Sequence, residues 1–158
     1  MKKVLMVCIL GILCFKMAAC DHSDLKQEVN KEAFTCQEIY ERITADIEMP
    51  KLVEVDPELF FDRYGISLDT LDHYFAVMPL MSAHANEILV LKAADEKSVV
   101  EIEAALEQWV LTAEANMLYP EQKQLIMEHQ LVTKGKYILL VIDAHAKDIV
   151  KNFEALFE

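Results

Sequence analysis

The groups in this 158-residue chain that could carry chemistry are five histidines, four cysteines and 27 acidic side chains. The histidines stand at 22, 73, 84, 129 and 145. A zinc site needs three or four converging ligands. Neither HExxH, CxxC nor a His pair at i, i+4 occurs, so no metal or cofactor is expected. A hydrolase needs a nucleophile, a base and an oxyanion hole. There is no GxSxG, and Ser67, Ser82 and Ser98 have no recognisable partner, so no catalytic residue is assigned. So many acids give carboxylate pairs by chance, and most read as a solvated surface. Two places stand apart. Glu87 opens a β-rich run just after a polar turn ending at Asn86, and Tyr119-Pro120-Glu121-Gln122 interrupts a helical pattern. Asn86, Glu87, Tyr119, Glu121 and Gln122 are therefore the candidate binding residues, although a helix break and restart is the plainer account of the second group. Met78, Met81, Met117 and Met127 fall on apolar stripes and are expected to pack in the core.

The cysteines divide by position. Met1-Lys2-Lys3 is followed by an uncharged run, VLMVCILGILCF, over residues 4–15. Its length suits a signal-peptide core and falls short of the ~20 residues a membrane-spanning helix needs. Met17-Ala18-Ala19-Cys20 follows, and the composition then turns polar. Small residues before a cysteine at this point resemble the lipobox of bacterial lipoproteins, with Met17 where Leu is usual and Lys16 close to the cut. That resemblance implies a signal peptide over 1–19, a diacylglycerol on the Cys20 thiol, and a domain tethered on the outer face of the membrane. An ordinary signal peptide, an uncleaved anchor and a chance match are the alternatives. Residues 20–34 read as a tether with a reach on the order of 20 Å. Cys8 and Cys14 leave with the signal, so Cys36 is alone and no internal disulfide forms. It lies in helical register with Ile39, Tyr40, Ile43 and Ile47 and reads as core.

The formal net charge is −12, from 15 basic and 27 acidic groups. Such a surface repels nucleic acid, which needs a basic stripe. Losing the signal removes Lys2, Lys3 and Lys16 and no acid, leaving 12 basic groups against 27 acidic, or −15. Three glycines exclude a Gly-rich phosphate loop.

Positioning the candidate residues falls to a domain over 35–158. Helices are expected at about 35–48, 57–64, 96–118, 120–128 and 145–157, and strands at 73–83, 87–94, 129–133 and 136–143. Asp56-Pro57 starts the second helix and Gly65 closes it. The long helix carries Val99, Ile102, Leu106, Trp109, Ala113 and Met117 on one stripe. Residues from Glu87 match those from Tyr137 at an offset of 50, with Ile88 on Ile138, Val100 on Val150 and Leu106 on Leu156. The expected fold is α+β: two ββα units (ββαββα) sharing a four-stranded antiparallel sheet, with added N-terminal helices. Both sheet faces are apolar, since Tyr137, Leu139 and Val141 oppose Ile138, Leu140 and Ile142. The second face must be covered by the N-terminal helices or by another chain.

Tyr64-Gly65-Ile66, Met78-Pro79-Leu80-Met81-Ser82-Ala83 with Asn86-Glu87-Ile88, Tyr119-Pro120-Glu121-Gln122 and Val132-Thr133-Lys134-Gly135-Lys136-Tyr137 together resemble domain-of-unknown-function family 4358. The resemblance runs from about residue 35 to the end. It implies a small lipoprotein of Gram-positive, clostridia-like bacteria and brings no activity, cofactor or catalytic residue. The expected role is a lipid-anchored binding or interaction module with a protein, peptide or envelope partner. The competing expectation is an envelope enzyme, or an accessory to one, with a site assembled from scattered acids and histidines. Oligomeric state is left open.

Overall fold

A computed structural model describes residues 34–158. The signal segment 1–19, Cys20 and the tether as far as residue 33 lie outside the described residues. Ala33–Glu158 forms one compact unit containing the whole sheet and both cores.

The chain runs α1 (Cys36–Thr44), β1 (Leu52–Glu54), α2 (Pro57–Tyr64), a 3-10 turn (Leu68–Thr70), β2 (Leu71–Pro79), β3 (Glu87–Ala93), α3 (Glu96–Asn116), α4 (Pro120–Met127), β4 (Gln130–Lys134), β5 (Tyr137–Ile142) and α5 (Ala146–Ala155). All five strands form one antiparallel sheet in the order β1-β2-β3-β5-β4. The fold is α+β, as expected, but the sheet has five strands where four were anticipated. The extra strand, β1, pairs Leu52 with Pro79 and Glu54 with Val77. Three residues are too few for alternation to show in a sequence. The strand expected at 73–83 ends at Pro79, because Leu80 to Asn86 peel away as a loop.

Local signals explain the helix ends. Thr35 and Glu38 form a reciprocal capping box on α1. Asp56 caps α2, Pro57 occupies its first turn, and Gly65 closes it at φ 68°, a left-handed conformation that costs glycine little. Asp95 caps α3 through the Ser98 N–H.

The two hairpins join through β3 and β5, where Glu87 faces Ile142 and Lys92 faces Tyr137. Leu89, Leu91, Ile138, Leu140 and Ile142 enter one core with Phe60 and Tyr64 of α2, Ile102, Leu106 and Val110 of α3, and Ile126 of α4. Ile88, Val90, Leu139 and Val141 enter the other with Cys36, Ile39 and Ile43 of α1 and Ile149 and Phe153 of α5. Both faces are thus covered within the chain, by α2, α3 and α4 on one side and by α1 and α5 on the other.

This arrangement corrects the ββαββα reading. Residues matched at the 50-residue offset sit on opposite faces: Ile88 packs under α1 and α5, Ile138 under α2 and α3. The helices that follow the two hairpins, α3 and α5, also lie on opposite faces, so the sequence repeat is not a rotational repeat of structure. Two of the methionines expected in the core are exposed, Met81 and Met127, while Met78 and Met117 pack against the first core.

Ahead of α1, the Phe34 carbonyl accepts from the Tyr137 hydroxyl at 3.0 Å, beside the Lys92–Tyr137 pair. That is one end of the central strands; Glu87 and Ile142 mark the other.

Candidate functional site

The Glu87 end of the sheet holds a cleft of about 560 Å³. Alternation along β3 places the first residue, Glu87, on the face covered by α2 and α3, and the residue is only 2% exposed. Burying a carboxylate costs several kcal/mol unless donors replace water, and this one is fully served. Oε1 accepts from Arg63 Nε at 2.9 Å and from the Tyr64 hydroxyl, and Oε2 accepts from Trp109 Nε1 at 3.2 Å. Consecutive residues at the end of α2 supply two of these donors. The third comes from the face of α3 that packs on the sheet.

The guanidinium of Arg63 lies over the Trp109 ring, 4.3 Å from its centroid, and the Tyr64 ring meets Trp109 edge-on at 5.4 Å. Burial works against the charge of Arg63, but Glu87 outweighs it and holds the guanidinium pKa above its ordinary value. Burial first, and then the neighbouring Glu87 carboxylate, push the Tyr64 phenol well above the usual range, so it serves as a hydroxyl donor. Three of about four acceptor positions on Glu87 are taken, which suits holding a geometry better than accepting a proton.

Met78, Met117, Ile126 and Ile142 give the cleft apolar lining. Leu80, Leu118 and Tyr119, which are 71%, 87% and 54% exposed, also line it. Arg63 and Trp109 line a second, wider-mouthed hollow of about 600 Å³ with Gln108 and Thr112, and so act as a partition.

The five candidate binding residues meet this site unevenly. Glu87 and Tyr119 line the cleft. Gln122 Oε1 accepts from the Ala85 N–H at 2.8 Å and ties the 80–86 loop to α4. Asn86 Nδ2 donates to Asp143 Oδ2 at 2.8 Å, just beyond β5. Glu121 is exposed in the first turn of α4 and is absent from the cleft lining.

Arg63, Tyr64 and Trp109 were not singled out as site residues from the sequence. The chain has only two arginines and one tryptophan, and an indole N–H on a buried stripe needs an acceptor. That requirement was the available signal. Asp143 was also missed: its buried Oδ1 accepts from the His145 backbone N–H at 2.8 Å and lies 3.0 Å from His145 Nδ1. Among the described residues no cluster of three or more His, Cys, Asp or Glu side chains could hold a metal ion. No described helix is long and apolar enough to cross a membrane.

A family model described as "Domain of unknown function (DUF4358)" matches residues 45–143. The chain belongs to this family. The DUF4358 match is narrower than the resemblance seen in the sequence, taking in all five strands with α2, α3 and α4 and leaving α1 and α5 outside. Every residue that lines the cleft falls within it. No curated protein and no solved structure matches the chain significantly.

Proposed function

We propose that this DUF4358 protein is a lipid-anchored, extracytoplasmic binding module, a non-enzymatic domain that holds a protein, peptide or envelope component at the cell surface. The observation that carries the binding half is the cleft: Arg63 and Glu87 are paired inside it, and its rim exposes Leu80, Leu118 and Tyr119 beside Ser82, His84 and Asn116. A pre-formed concavity with a few fixed polar groups is the usual form of a ligand site. The anchoring half rests on the sequence of residues 1–20, where Cys20 takes the lipid. Several acyl chains at ~0.8 kcal/mol per buried CH₂ make release negligible.

Two measurements test the halves separately. Metabolic labelling with an alkyne fatty acid should mark the protein, and Cys20→Ser should abolish the label and either release the chain or leave it at precursor size. A Cys20→Ser chain that stays membrane-bound at mature size refutes the anchor. A photo-crosslinker at Leu118 should give a discrete adduct in native membranes that the same probe at Lys97, at the far end of α3, does not give. Equal labelling from both positions removes the binding reading.

One observation favours the enzymatic alternative. His145 is held by buried Asp143 in the way a general base is oriented. Among the described residues no hydroxyl or thiol hydrogen-bonds to that ring, so the pair lacks a nucleophile in place. Loss of a hydrolytic activity in His145→Ala would revive this alternative.

A further inference from the structure

We infer that the cleft receives the free carboxyl terminus of a peptide ending in an apolar residue. The inference rests on the reading of the cleft as a binding site and names what fills it. A guanidinium carries five N–H donors in a planar fork. Arg63 uses one of them, Nε, on Glu87. Among the described residues its four Nη hydrogens donate to no carboxylate or carbonyl, the Tyr64 hydroxyl lies close beside the guanidinium, and the side chain is 28% exposed. Glu87 leaves that edge open because its contact with Arg63 is a single hydrogen bond, its remaining donors being Tyr64 and Trp109. Trp109 beneath the guanidinium fixes the plane. The result is a fork held on one side and open on the other, the geometry that takes a carboxylate through two parallel hydrogen bonds.

The surroundings select what carries the carboxylate. Met78, Met117, Ile126 and Ile142 offer no hydrogen-bonding side chain and accept an aliphatic or aromatic terminal side chain. Leu80, Leu118 and Tyr119 carry the apolar lining out to the exposed rim, where a small free acid has nothing to place and the preceding peptide residues do. The net charge of −12 disfavours an acidic peptide body. A neutral or basic peptide whose single carboxylate lies on Arg63 meets all three conditions.

Trp109, the only tryptophan, is a built-in reporter. The test uses the full chain extracted from membranes in mild detergent, with N-acetyl-Ala-Ala-Leu as the free acid, the same peptide as its amide, and octanoate. The free acid should shift Trp109 emission saturably and bind about tenfold or more tighter than the amide and than octanoate. Arg63→Lys keeps a charge beside Glu87 but loses the fork, and should bring the acid down to the affinity of the amide. Leu118→Glu, on an exposed position that folding does not depend on, should weaken the acid severalfold and stays decisive if Arg63→Lys unfolds. Equal binding of acid and amide, octanoate matching the peptide, indifference to Leu118→Glu, or no saturable shift each overturns the inference. A specific Leu118 crosslink in native membranes combined with equal acid and amide binding would end the carboxylate assignment while leaving the binding module standing.

Discussion

Glu87 shows how much one buried group can organise. With its carboxylate, Arg63, Tyr64 and Trp109 form one network joining α2, α3 and β3. Glu87→Gln removes the charge that offsets a largely buried guanidinium. Because Arg63 retains some contact with water, the loss should sit near the low end for broken buried pairs, about 2–3 kcal/mol by urea denaturation. Tyr64→Phe leaves the ring contacts and removes one donor, and should cost about 1–2 kcal/mol. Glu87 was legible in the sequence because it opens a strand beside a polar turn. Its partners were not, since Arg63 and Trp109 lie 24 and 22 residues away and no local spacing links them. Cys36 was legible as core from its helical register, and burial pushes its thiol up to about 12. The sign follows from linkage: a raised folded pKa leaves stability intact below the ordinary thiol value of about 8.5 and removes it as pH climbs toward the folded one. In the 33–158 unit at pH 8, iodoacetamide should leave the native protein unlabelled and alkylate Cys36 once urea unfolds it. Rapid native labelling would contradict the burial.

Elements were read best where a cap announces them. Asp56-Pro57 and Gly65 bracket α2 within a residue, because each end depends on one side chain or one φ angle. Nothing lies within 4 Å of where a Cβ at Gly65 would stand. Gly65→Ala should therefore cost only the left-handed backbone penalty, about 1 kcal/mol, and a larger loss in thermal denaturation would indicate an unseen contact. Asp95 gives the element-scale pH response. The Ser98 backbone N–H first, and then its hydroxyl, hold the Asp95 carboxyl below the usual carboxylate range. A lowered folded pKa means the cap contributes fully above about pH 4 and fades as pH falls through the folded value. Asp95→Asn should flatten that part of the urea-midpoint profile, and an unchanged profile would show that the cap does not respond. The strand β1 had no such signal. It exists because the Val77–Pro79 end of β2 offers it a partner, which is tertiary information.

Across the whole molecule, the apolar character of both sheet faces was readable from β3 and β5 alone, but the assignment of helices to faces was not. A 50-residue match in hydrophobic pattern says nothing about parity, and here it pairs residues that point opposite ways. The sheet separates two cores, so small deletions on either side should act independently. Ile102→Val and Ile149→Val should each cost about 1 kcal/mol, and the double variant should match their sum to within about 0.5 kcal/mol in urea. A large coupling term would mean that strain passes through the sheet. The positions of Phe34 and the cleft, at opposite ends of the central strands, carry a mechanical consequence. If a tether pulled at residue 34 against a load at the proposed site beside Arg63, the force would run along the strands and the β3–β5 ladder would share it across its hydrogen bonds. α1 is held to the sheet by Cys36, Ile39 and Ile43 and by the Tyr137 hydroxyl on the Phe34 carbonyl, and to α5 by the Asn152 amide on the Ile43 carbonyl. Peeling α1 uncovers the face it shares with α5, while Arg63, Glu87 and Trp109 stay packed on the other.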